Sequence, residues 1–278
     1  MRKLLVGHSP DADDAFMFYG LASGRVQVDG YAVDHVLEDI ESLNHRARAA
    51  ELEVTAISAA AYPSVASLYR IMSCGASVGR RYGPIVLARE PMRLEQLSGR
   101  RIAVPGEHTT AYLLCRLYTP GTFEPVIMDF EAIMDAVTAG DVDAGVVIHE
   151  GQLTWPSSGL HKIADLGDLW MTDTGLPIPL GLDVIRRNLG EETMTAVAKS
   201  LKDSIVLART DEDAAVDYAM QFGRGVDRET CRKFVRMYVN EDTVDMGTDG
   251  RQALETLYSK AVARGLLDRA PDLDILWV

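Results

Sequence analysis

The stretches Glu51-Leu52-Glu53-Val54-Thr55-Ala56-Ile57 and Asp141-Val142-Asp143-Ala144-Gly145-Val146-Val147 share one pattern: acid, apolar, acid, apolar, small, apolar, apolar. Each reads as a turn entering a buried strand. Upstream, Lys3-Leu4-Leu5-Val6 and Arg101-Ile102-Ala103-Val104 also match, and each runs into a turn carrying glycine or proline. The echoes fall in the same order along the chain. Chance likeness between two β/α units would give the same pattern, so one continuous sheet stays open beside two lobes of similar plan.

Working outward, strand and helix patterns alternate over most of the first 190 residues. The spacing predicts strands at Lys3 to Gly7, Tyr31 to Leu37, Val54 to Ser58, Ile85 to Ala88, Arg101 to Val104, Val126 to Met128 and Gly145 to Ile148. Helices are expected at Asp13 to Ala22, Ile40 to Ala49, Thr109 to Tyr118 and Glu131 to Ala139, with Asp39 as a cap. Such alternation with short connections predicts parallel sheets covered by helices. The last third reads as helices over Glu191 to Arg209, Asp211 to Phe222, Arg228 to Tyr238 and Gly250 to Arg264. Two crossings between lobes are placed near Ala88–Pro91 and Leu176–Leu180, where Pro91, Pro177 and Pro179 change the direction of the chain. The expected lobes are residues 1–90 plus 178–278, and 91–177.

Composition narrows the partners. The 278 residues suggest about two domains at roughly 150 residues each. Acidic residues outnumber basic ones 41 to 28, a net charge of −13 that repels nucleic acid and anionic lipid. A small anion is not excluded, because helix N-termini hold one locally. The three apolar residues after Arg2-Lys3 are too few for a secretory segment, and no apolar run approaches a membrane span of about 18 residues. Cys74, Cys115 and Cys231 form no CxxC pair. A cytoplasmic chain is expected, with no disulfide framework and no metal or nucleotide cofactor.

In open α/β sheets ligands sit beyond the carboxyl ends of strands. Four segments occupy such places: His8-Ser9-Pro10-Asp11, Ser58-Ala59-Ala60, Gly106 to Thr110, and His149-Glu150. Thr109 and Thr110 open a helix after a glycine turn, a place that suits a carboxylate or serves as a plain helix cap. His149 ends a buried strand, where it could act as a general base or be a hydrogen-bonded structural histidine. Asp11, Asp13 and Asp14 fit no EF-hand loop, and acids at a helix start are favoured by its dipole.

The combination of His8-Ser9-Pro10, Asp14-Ala15-Phe16-Met17-Phe18-Tyr19, Leu37-Glu38-Asp39-Ile40-Glu41-Ser42-Leu43-Asn44, Gly83-Pro84-Ile85-Val86, Val104 to Tyr112, Ile148-His149-Glu150 and Thr174 to Gly181 resembles the 1,4-dihydroxy-6-naphthoate synthases of the futalosine route to menaquinone. The resemblance implies a two-lobed periplasmic-binding-protein-like α/β fold with an interlobe ligand cleft, used as an enzyme. It implies a lyase that converts cyclic dehypoxanthinylfutalosine to 1,4-dihydroxy-6-naphthoate and dihydroxyacetone without a cofactor. His149 would be the proton acceptor, and Ser58, Thr109 and Thr110 would bind the ligand, with Ser9, Asp11, Ala56 and Ile57 lining it. The chain departs from the family at Asp11-Ala12-Asp13-Asp14, and at Ala56 and Ala59, where a lysine and an aromatic can stand. The rival readings are a non-catalytic solute-binding protein and a related lyase such as chorismate dehydratase.

Overall fold

The computed structural model describes residues 2–223 and 225–278. Its first part runs β1 (Arg2–His8), α1 (Ala12–Ala22), β2 (Tyr31–Leu37), α2 (Ile40–Arg48), β3 (Val54–Ser58) and α3 (Tyr62–Val65). Four strands follow: β4 (Tyr69–Met72), β5 (Ser77–Gly79), β6 (Ile85–Ala88) and β7 (Arg101–Val104). Next come α4 (Thr110–Tyr118), β8 (Glu124–Ile127), α5 (Ile133–Ala139), β9 (Ala144–Val147), α6 (Gly151–Thr154), β10 (His161–Asp165), α7 (Leu166–Thr174) and β11 (Ile178–Arg186). The remainder is α8 (Glu191–Thr210), α9 (Glu212–Ala219), α10 (Arg228–Tyr238), α11 (Glu241–Val244), α12 (Gly247–Ala263) and a short β12 (Ile275–Leu276).

Two sheets result, and Val6 and Val104 stand in different ones. The first has the order β12-β4-β11-β3-β1-β2, with β5 paired to β11; the second has the order β10-β6-β9-β7-β8. β1 is parallel to β2 and β3, as the alternation predicts, but β11 runs antiparallel to β3 and β4. The sequence gives no strand at β11, because Pro177 and Pro179 read as a crossing. Proline is compatible with the opening of a strand, where its missing N–H is tolerated. β6 is likewise antiparallel to β9 and β10.

The chain divides into two compact units. The first runs to Val78 and includes Gly181–Arg251 and Pro271–Val278; the second comprises Gly79–Leu180 and Gln252–Ala270. Residues 79–90 fall in the second unit because β6 is hydrogen-bonded within its sheet, so the chain passes over in the glycine-rich stretch near residue 79 and not at Pro91. The later half of α12 belongs there too. Lys260 reaches Asp173 at 2.7 Å, and Arg264 donates to the carbonyls of Arg116 and Thr119.

In the first unit α1 buries Phe16, Met17 and Phe18 and packs on α8, α9 and α10. Gly20 permits the close approach to α8: a Cβ there would stand 2.8 Å from the Ser204 Cα. The Ser204 hydroxyl uses that proximity, donating to the Met17 carbonyl at 2.7 Å and accepting the Gly20 N–H at 2.9 Å. In the second unit Ile133 and Val137 of α5 pack on Ile85, Leu87, Ala103 and Val147, closing a core over the sheet. Among the described residues no helix is long and apolar enough to cross a membrane.

Candidate active site

In the first unit the candidate residues gather at the carboxyl ends of β1 and β3. Asp11 caps α1, its Oδ1 accepting the Asp14 N–H at 3.2 Å. Asp14 in turn accepts the Ser9 N–H at 2.6 Å through Oδ2. Ser9, Asp11, Asp13 and Asp14 are all buried. Burial holds the Asp14 carboxyl well above the usual aspartate range; the nearby charges of Asp11 and Asp183 push the same way, and the Ser9 N–H opposes them.

His8, at the end of β1, is buried and stacked on Phe18 with ring centroids 4.3 Å apart. Its Nε2 meets Nδ1 of His35 at 3.0 Å. Desolvation, followed by the neighbouring His35 imidazole, lowers its pKa to about 4, so the ring is neutral at ordinary pH. His8 therefore packs the base of the turn.

Ser58 ends β3 and is 4 % exposed. Its backbone N–H donates to Asn44 Oδ1 at 2.8 Å, and Asn44 Nδ2 donates to its hydroxyl at 3.2 Å. Asn44 also donates to Glu41. Asn44 is a site residue that the sequence reading leaves unassigned, although its signal is present. With Ile40, Leu43 and Ala47 it lies at i, i+3, i+4 and i+7 of α2, the one polar side chain on the buried stripe. Ala56 and Ile57, just before Ser58, are buried.

In the second unit Thr109 is the N-cap of α4. Its hydroxyl accepts the Tyr112 N–H at 3.3 Å and donates to the Gly106 carbonyl at 2.9 Å. Thr110 donates its hydroxyl proton to the Leu180 carbonyl at 2.7 Å. Both hydroxyl protons are thus committed within the protein. An anion at this helix start would be held by backbone N–H groups and the helix dipole.

His149 follows β9 with φ of 54°, in the left-handed region. It begins the turn into α6, its carbonyl accepting the Gln152 N–H, and its ring lies 4.6 Å from that of Phe130. Glu150, next in sequence, is buried. Histidine enters the left-handed region more readily than most residues, but a strained position at a strand's mouth is characteristic of functional sites. Phe130, which the sequence reading passes over, shapes the surroundings of this ring.

These features define an α/β protein of the periplasmic-binding-protein fold, and the comparisons agree. The chain matches the alkanesulfonate-binding protein SsuA of Xanthomonas axonopodis pv. citri, bound to MOPS, at a TM-score of 0.74 and 13 % identity, covering 100 % of this chain and 99 % of the other. Within that fold the chain belongs to the menaquinone biosynthesis family, whose sequence profile matches residues 4–263. It is 40 % identical over 271 residues to the 1,4-dihydroxy-6-naphtoate synthase of Thermus thermophilus, 98 % of each chain being covered. A crystal structure of an Archaeoglobus fulgidus protein matches at a TM-score of 0.91 and 48 % identity, covering 95 % of this chain and 98 % of that one.

Proposed function

We propose that this protein is a lyase of the 1,4-dihydroxy-6-naphthoate synthase type, acting on cyclic dehypoxanthinylfutalosine. The observation that carries the reading is near-full-length identity of 40 % to a relative of that name. In the second unit His149 takes a proton from a carbon α to a carbonyl. The electrons released open the sugar-derived ring, dihydroxyacetone leaves with cleavage of a carbon–carbon bond, and the product ring aromatises. The start of α4 at Thr109 and Thr110 takes the substrate carboxylate. In the first unit Ser9, Asp11, Ala56, Ile57 and Ser58 supply the remaining ligand contacts, with Asn44 holding Ser58 in place.

Purified protein incubated with cyclic dehypoxanthinylfutalosine should give a new aromatic absorbance, with 1,4-dihydroxy-6-naphthoate and dihydroxyacetone formed in equal amounts by mass analysis. Ligand recovered bound but unchanged would assign the chain to solute binding. Turnover of chorismate in its place would assign it to dehydration.

A further inference from the structure

Ser9 is held by its backbone on both sides. Its N–H donates to Asp14 Oδ2 at 2.6 Å, and its carbonyl meets Nδ1 of His8 at 3.3 Å. Its hydroxyl is buried and has no hydrogen-bond partner among the described residues. A buried hydroxyl is costly unless something supplies it with a partner.

His8 is itself fixed in two directions. Phe18 of α1 lies flat on its ring, the planes 7° apart, and so sets the plane of the imidazole. On β2, His35 pairs with Val6, two residues before His8, which puts both histidines on one face of the sheet. Nδ1 of His35 meets Nε2 of His8 at 3.0 Å, the rings standing edge to face. Burial holds both imidazoles below the ordinary histidine range, so at pH 8 each ring is neutral and carries one N–H.

These contacts fix where the two protons sit. A carbonyl oxygen only accepts, so the proton of His8 is on Nδ1. Nε2 of His8 is then a bare acceptor, and His35 donates to it from Nδ1. The reverse assignment would set a bare Nδ1 against the Ser9 carbonyl. It would also leave the buried Nε2 of His35 as a donor without an acceptor.

We propose that His35 and His8 are positioning residues. The His35 Nδ1–H fixes His8 in its Nδ1–H form, His8 and Asp14 clamp the Ser9 backbone, and the clamped residue presents its hydroxyl to the ligand. The last step rests on the reading of Ser9 as a ligand contact given above; the clamp does not.

Nitrogen-15 spectra of the imidazoles at pH 8 should show Nδ1 protonated and Nε2 bare in both rings. Asparagine can place an amide N–H where His35 Nδ1 stands, and alanine cannot. In H35A, KM for the naphthoate precursor should rise about three- to tenfold, the scale of one lost hydrogen bond, with kcat changed less. H35N should keep the Nδ1–H form of His8 and a KM near the native value. S9A removes the hydroxyl, so H35A added to S9A should raise KM no further. His8 protonated on Nε2 in the native protein would overturn the proposal, and so would an H35N that behaves as H35A does. An H35A effect of equal size with and without the Ser9 hydroxyl would show general damage to the fold and overturn it too. Should H35A fail to fold, the ring spectra of the native protein and of H35N decide. Those spectra need no turnover, so they also decide the clamp if the chain is inactive on that substrate, an outcome that refutes the lyase reading alone.

Discussion

His149, the proposed base, stands on an unfavourable backbone. A non-glycine residue at φ 54° carries strain of about 1 kcal/mol or more. Asparagine tolerates this conformation and alanine does not, so the two substitutions separate chemistry from folding. H149N should fold with near-native stability and lose turnover by a factor of ~10²–10⁴, the usual range for a missing general base. H149A should lose as much turnover and also unfold more easily, by about 1 kcal/mol. An H149N variant that binds the precursor and turns it over at the native rate would make His149 structural. Thr109 calls for a different test, because its hydroxyl is engaged as a cap. T109V should cost about 1 kcal/mol of stability and T109N much less, measured by urea unfolding. If backbone N–H groups hold the carboxylate, T109N should keep its KM within a few-fold.

The junction of α1 and α8 depends on one hydroxyl. Ser204 satisfies both the Met17 carbonyl and the Gly20 N–H where the helices approach most closely. S204A should therefore cost about 1–3 kcal/mol, the range for leaving buried polar groups without partners. S204V should cost more, since the contact at Gly20 has no room for a second methyl. Most elements were legible in the sequence: α10 spans Arg228–Tyr238 and β6 spans Ile85–Ala88 as the periodicity predicts. The strands β4, β5, β10, β11 and β12 and the helices α3, α6, α7 and α11 were not. β5 and β12 have three and two residues, too few to register a period. β10, His161–Asp165, is half polar because it lies at a sheet edge.

Across the whole molecule the net charge of −13 sets what the surface attracts. At physiological ionic strength, with screening over about 8 Å, the protein should not sediment with anionic lipid vesicles or be retained on DNA. Measurable retention on either would reveal a basic patch outweighing the overall field. The surface ion pairs, such as Arg228 with Asp213 and Asp217 on α9 and α10, are exposed and contribute little individually. Raising salt to about 1 M should therefore leave the unfolding midpoint nearly unchanged or raise it, as self-repulsion is screened.

The sequence by itself determined the class of the fold, the strand ends that carry Ser9, Ser58, Thr109 and His149, and the family. These are local properties: apolar period, capping residues and contiguous motifs. The tertiary structure alone decided where the chain passes from one unit to the other, because that depends on which sheet hydrogen-bonds β6. It also decided that Asn44 braces Ser58 and that Asp183 stands over Gly75. Those partners are 14 and 108 residues apart in the chain. No periodicity along a single chain encodes such contacts, and the approach of Asp183 to Gly75 exists only once β11 has inserted antiparallel between β3 and β4.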